Sequence, residues 1–248
     1  MPRLGTPTSY WRRLLSVDLY RLQTGTIGDT VTTAPVIGDG SETTIAVSAI
    51  TNFTSGDPAG VIGDGGTELF KIGTPNATMP VTYKPKLPQS TGARFVEMVK
   101  VALGRPSEDG VQESVSRALQ AFFSSVDDLP IGYLEQPLEL SMGFSLVEYS
   151  GFNKQLAAGF ADEETGAGTT GDPYQYVIGK LNQTVVGPQV IRINGIRNDG
   201  LYVQMDLLDV KIEASGTVDH NRKSPALIPM TFKGTKQIIR QASAAFTF

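Results

Sequence analysis

Alternation of apolar and polar residues dominates this chain. Across Pro137–Tyr149, the residues Leu138, Leu140, Met142, Phe144 and Leu146 share one phase, and Glu139, Ser141, Gly143 and Ser145 share the other. Period two over that length predicts a strand with a dry face and a wet face. Ala226, Ile228, Met230 and Phe232 repeat the pattern. Leu201–Ala214 alternates as well, but its phase slips at Leu207–Leu208, as a β-bulge would make it do. Val190–Ile196 and Leu14–Gln23 are further strand segments. Together they read as long antiparallel strands, wet on one side.

A helical pattern interrupts them. Asp109 followed by Gln112 resembles a capping box, and Val111, Val115, Ala118, Leu119 and Phe122 form an apolar stripe. Glu113 and Arg117 stand four apart, the spacing of a favourable pair on an exposed helix face. Phe95–Leu103 fits either period. Ala161–Asp172 (ADEETGAGTTGD) is a loop by composition, with four acids and no base.

The pentapeptide VIGDG occurs twice, at Val36–Gly40 and Val61–Gly65. Neither copy has the lysine and following helix of a phosphate-binding loop, nor the spaced acids of a calcium loop. Each precedes a β-prone run, Thr43–Ile50 or Thr67–Ile72, so both read as turns, where glycine accepts a positive φ. Residues 36–74 are expected to form a small excursion of two hairpins on a single β domain spanning 1–248.

Composition narrows the class. Among 248 residues, 40% are apolar and 19% charged, with 27 Gly and 15 Pro, a globular and turn-rich profile. No apolar run is long enough for a membrane span, and no signal-peptide pattern opens the sequence. Without cysteine there is neither a disulfide framework nor a thiolate metal site. His220, the single histidine, lies in a polar connector, and the acidic pairs Asp127–Asp128 and Glu163–Glu164 are sequence neighbours that point apart. No catalytic, cofactor or metal site is therefore expected, and the protein reads as a non-enzyme.

Charge is unevenly spread. Residues 1–16 and 220–248 hold eight basic residues and no acid, leaving 13 bases against 25 acids between them. Basic ends facing an acidic body suit contact between copies. The expected inter-subunit residues are Trp11, Arg12 and Arg13, then Asp162, Glu163 and Glu164 of the acidic loop. At the carboxyl end they are Lys236, Arg240, Phe246 and Phe248.

The order of PLELSMGFSLVEYSG, then VIRINGIRNDGLYVQMDLLDVKIEASG, then PALIPMTFKGTKQ resembles the second half of the tail tube proteins (major tail proteins) of long-tailed bacteriophages. GSETTIAVSAITNFTSGDPAGVIGDGGTELFKIG is similar to a β-rich stretch of phage virion proteins. The resemblance implies an antiparallel β-sandwich or partial barrel with one flanking α-helix, contributing strands to a lumenal β-barrel shared around a hexameric ring. Rings would stack head to tail into a tube that conducts double-stranded DNA without binding it specifically, assembled in the host cytoplasm for the virion tail. Tape-measure and terminator proteins are the implied partners, with no cofactor and no membrane.

A DNA conduit must not hold its cargo, because each Lys or Arg on a phosphate adds affinity. Glu139, Ser141, Gly143 and Ser145, without a base among them, are thus expected to line the lumen, with Leu138 to Leu146 facing the core. The face of Leu227–Thr235 competes for that place but carries Lys233. Other virion roles (tail terminator, adaptor ring, capsid decoration) and a carbohydrate-binding β-protein are the alternatives.

Overall fold

The alternating segments are strands in the computed structural model, which describes residues 11–22, 28–76, 78–123, 130–136, 138–147, 150–158, 169–171, 189–213 and 227–246. Within the first half these are β1 (Trp11–Leu22), β2 (Asp29–Val31), β3 (Thr44–Ile45), β4 (Pro58–Gly63), β5 (Gly66–Ile72), β6 (Met79–Thr82), β7 (Arg94–Gly104) and β8 (Pro106–Ser116). Then follow β9 (Leu119–Phe123), β10 (Pro130–Glu135), β11 (Glu139–Leu146) and the helix α1 (Gly151–Ala157). The chain closes with β12 (Val190–Arg197), β13 (Tyr202–Leu208), β14 (Lys211–Glu213), β15 (Ile228–Gly234) and β16 (Lys236–Ala242).

All pairings are antiparallel and fall into three sheets. The large sheet runs β16-β13-β12-β1-β7-β4-β5-β6-β3, with β2 also on β7; the second runs β14-β15-β11-β8; the third is the β9–β10 hairpin. Strand β7 joins the two halves of the large sheet. Its Arg94–Glu97 portion pairs with β4, and its Met98–Gly104 portion pairs with β1.

The main core lies between the large sheet and the four-stranded one. Val17, Leu19, Ile191, Ile193, Met205 and Leu207 meet Leu140, Met142, Phe144, Met230 and Phe232, and Leu156 of α1 closes one end. Each such side chain, fully buried, contributes about 1.5–3 kcal/mol of transfer free energy. Phe144 and Phe232 stack at 5.3 Å across β11 and β15. The opposite face of the large sheet is covered by the sheet's own curl. Tyr20, Leu69, Met98, Val190 and Leu208 bring β5 over β1 and β13.

Several expectations are corrected here. The helical stripe at 109–122 is strand: β8 pairs along β11 from Glu139↔Ser116 to Phe144↔Val111, and β9 pairs with β10. A spacing of four between Val111 and Val115 fits period two as well as 3.6, and the unpaired edge of β11 selected the strand. Arg117 reaches Glu135 across the hairpin at 2.6 Å instead of Glu113. The helix that does flank the sandwich is α1, whose Ser150 side chain caps the Asn153 N–H. Phe95–Leu103 resolves as strand. Leu138 is 40% exposed, ahead of the strand that its phase suggested it would anchor.

The phase slip at Leu207–Leu208 is a change of sheet, not a bulge. β13 ends there in the large sheet, Asp209 turns with φ of 52°, and β14 joins β15 in the other sheet.

The two VIGDG copies differ. The second makes the β4–β5 hairpin, with Gly63 opposite Gly66. The positive φ, 96°, falls on Gly66, one residue after the Asp-Gly dipeptide. The first copy is a loop bridged to Gln89 through Val36. Both copies hold the same segment. Gln89 accepts from Gly65 N–H at 2.9 Å and donates to the Gly66 carbonyl at 2.8 Å. A β-carbon on Gly38 or Gly65 would run into the backbone of Pro88.

Candidate functional site

Three features are candidates for function: the wet face of the four-stranded sheet, the β9–β10 hairpin, and the polar interior of the curl.

The strand phase of β11 puts Ser141, Gly143 and Ser145 half-buried on the outer face with exposed Glu139. Register adds neighbours that the single-strand reading kept apart. Ser141 lies opposite Lys233 on β15, and Lys233 lies opposite Lys211 on β14. The two faces held to be competitors are therefore one face, and it does carry lysines. Glu213 sits 3.4 Å from Lys233. Glu139 and Glu213 offset Lys211 and Lys233, so the face is polar and close to neutral.

Beyond this face the β9–β10 hairpin projects. Among the described residues its strands pack extensively only on each other. Leu119 and Tyr133 are 60% and 61% exposed, and Leu134 is 58% exposed. Pairing of Leu119 with Glu135 and of Gln120 with Leu134 puts Leu119 and Tyr133 on one face and Leu134 on the other. Val115 near the end of β8 is exposed too. A two-stranded hairpin gains little stability by itself in water, and this one leaves much of its apolar surface exposed.

The terminal residues divide. Trp11 opens β1 opposite Arg197, and Arg12 and Arg13 are exposed. Lys236 turns inward and donates to the Gly65 carbonyl, tying β16 to the β4–β5 turn. Arg240 is also an internal residue, bonded to Asp206 and lying 4.9 Å from the Tyr83 ring centroid. Phe246 meets that same Tyr83 edge-on at 6.2 Å. These three make contacts within their own chain, because β16 is a sheet member and not a loose tail. Asp162, Glu163, Glu164 and Phe248 lie outside the described residues, as does most of the acidic loop at 161–172.

The curl interior holds what the sequence reading did not single out. Arg192 and Asp206 pair side on across β12 and β13 at 2.6 and 2.8 Å, both fully buried. Burial pushes the Asp206 carboxyl up, but Arg192 and Arg240 outweigh it and hold that group below its ordinary range. Glu68 accepts from the Lys86 and Leu87 N–H groups at 2.9 Å, yet its burial prevails and raises its pKa. Tyr20, under the Arg192 guanidinium at 5.1 Å, is pushed up to about 12 by burial. Outward from this cluster a polar ladder continues. Gln204 donates to Asn194 at 3.2 Å, Asn194 to Ser16 at 3.1 Å, and Ser16 to Asp18 at 3.2 Å. Lys100 closes the ladder at the mouth, 3.3 Å from Asp18.

One signal could have revealed the pair. Arg192 and Asp206 are equally spaced from the Asn198–Gly200 turn, so a hairpin reading of VIRINGIRNDGLYVQMD places opposite charges in register. Among the described residues, no helix is long and apolar enough to cross a membrane. Compared with known proteins, the sequence matches no family model and no curated protein.

Proposed function

We propose that this protein is a structural subunit that assembles with copies of itself, and that its assembly is the tail tube of a long-tailed bacteriophage. The observation that carries the reading is the projecting β9–β10 hairpin. It exposes Leu119, Tyr133 and Leu134 on its two faces, and among the described residues its strands pack extensively only on each other. Such surface is stable in water once a partner covers it, and free strand edges call for the same cover. The four-stranded sheet beside it offers a polar, nearly neutral face of Ser141, Gly143, Ser145 and Thr231, suited to a channel through which DNA slides. Around a ring, the edges of β8 and β14 would pair with neighbouring copies and close a common barrel. Rings joined through unlike surfaces extend into a filament.

Negative-stain electron microscopy and sedimentation of the purified protein test this. Hollow tubes or stackable six-membered rings are expected. Single rings that never stack would place the protein at a tail end, as a terminator or adaptor. A monomer at every concentration, with tail-assembly partners present, would sink the reading.

A further inference from the structure

We propose that this chain joins its next copy through an offset lap, in which the uncovered half of β8 lies over the uncovered strand β16 of the neighbour. This joint deepens the proposed self-assembly, on which it rests, and holds whatever the assembly carries.

The two sheets of the sandwich do not cover each other fully. Along β8, Val111, Glu113 and Val115 stand opposite Phe144, Met142 and Leu140 and share their core-facing phase. The cover supplied by the large sheet runs out across that pairing: Leu140 is 7% exposed and Val115 is 57% exposed. Val111 is partly buried against the core, whereas Glu113 is exposed. The large sheet overhangs in the same way. Gln237, Ile239 and Gln241 of β16 stand opposite Leu207, Met205 and Val203, which belong to the main core. Met205 is 5% exposed and its partner Ile239 is 52% exposed. Each overhang thus carries a branched apolar side chain in the core-facing phase but outside the core.

The overhangs stand at opposite sides of the sandwich. Strand β8 contacts β1, and β15 contacts β13, so the order β15-β11-β8 runs alongside β13-β12-β1. At the β1 side, β8 turns its core face toward the layer of the large sheet. At the β13 side, β16 turns its core face toward the layer of the small one. Each is the cover that the other lacks. A second copy set beside the first brings β8 of one over β16 of the next, with Val115 against Ile239, and removes both from water.

Strand direction and charge agree with this placement. Successive antiparallel pairings of β14, β15, β11 and β8 make the two outer strands run oppositely, so the β8 edge of one copy meets the β14 edge of the next as an antiparallel neighbour. Strand β8 bears exposed Glu108, Asp109 and Glu113 and no base. On β14, Lys211 is exposed, and Glu213 beside it is paired with Lys233. An acidic edge therefore meets an edge that offers a lysine. Within the lap, the exposed Gln241 amide is a donor for the Glu113 carboxylate. Because the two surfaces differ, the contact is heterologous and repeats from copy to copy around a ring or along a filament.

The chain contains no cysteine, so engineered thiols report this contact alone. Val115→Cys and Ile239→Cys are made singly and together, treated with a short bismaleimide and run on a denaturing gel. The double variant should give a ladder of covalent multimers, and a mixture of the two single variants should give dimer only. Neither single variant by itself should cross-link. Dimer from one single variant would show a symmetric contact and overturn the joint. So would a double variant that assembles in sedimentation but gives no ladder, an outcome that leaves self-assembly standing and moves the contact elsewhere. A monomer at every concentration would sink self-assembly and the joint together. Charge placement reads the same contact without cross-linking. Val115→Asp and Ile239→Lys should each raise the concentration needed for assembly about tenfold, and the two combined should return it toward the wild-type value. Losses that simply add would overturn the joint. Both side chains are more than half exposed, so the melting temperature of the monomer should hold in every variant.

Discussion

Arg192 and Asp206 have no exposure to water, and neither could sit there alone. Asp206 is held by Arg240 as well, so the charge that a single change strands is Arg192, and Asp206→Leu should cost about 3–5 kcal/mol in urea unfolding. Adding Arg192→Met to that variant should recover part of the loss; a double variant as unstable as the two single losses summed would show the charges acting independently. Two carboxyls of the cluster give opposite pH dependences. Asp206 is held below its ordinary value, so its contribution is present above that value and is lost as pH falls through the folded one. Glu68 is raised above 4.5, so the folded chain keeps that proton after the unfolded chain has lost it. Its contribution is greatest below pH 4.5 and declines as pH rises through the raised value. In Glu68→Gln this decline should vanish from a plot of unfolding midpoint against pH. An unchanged slope would mean that Glu68 titrates alike in both states.

Among the elements, the β4–β5 turn and the β9–β10 hairpin are opposite cases. Gly66 has φ of 96° and lies close to Asp209, whose carboxylate accepts the Thr67 N–H at 3.1 Å. Gly66→Ala should therefore destabilise the fold by about 1–2 kcal/mol through left-handed backbone strain, read from the thermal midpoint. The hairpin should behave the other way. Leu119→Ser with Leu134→Ser removes apolar side chains that are mostly exposed, so the monomer's melting temperature should hold while sedimentation shows assembly lost. A monomer that melts several degrees lower would place the hairpin on its own fold and withdraw the observation on which the tube reading rests.

For the whole molecule, the proposed tube raises the question of which surface would face DNA. Each phosphate contact by a basic residue adds to binding and to its salt dependence, with a log–log slope of about 0.9 per contact. The outer face of the four-stranded sheet balances Lys211 and Lys233 with Glu139 and Glu213, so it would not retain a polyanion. Ser141→Lys with Ser145→Lys breaks that balance without touching the core face of β11. Tubes should form normally, DNA ejection from virions carrying the variant should slow, and added salt should partly restore it. Ejection at the wild-type rate would put this face on the outside of the tail.

Where apolar residues recur every second position, sequence alone determined both the strand and its dry side: β11 and β15 bury the residues that their phases pick out, because a pleated backbone offers only two faces. The same reasoning failed wherever two periods coincide. Val111 and Val115 suit helix or strand, and the choice fell to an edge of β11 that lay 20 and more residues ahead in the chain. The VIGDG turns were legible as turns, but not the fact that both close on Pro88–Gln89, since backbone packing against a distant segment leaves no local pattern. Likewise the polar phases of β1, β12 and β13 look like solvent faces in sequence. Only the curl of the large sheet buries them, and it turns Asp18, Arg192, Gln204 and Asp206 from surface residues into interior ones.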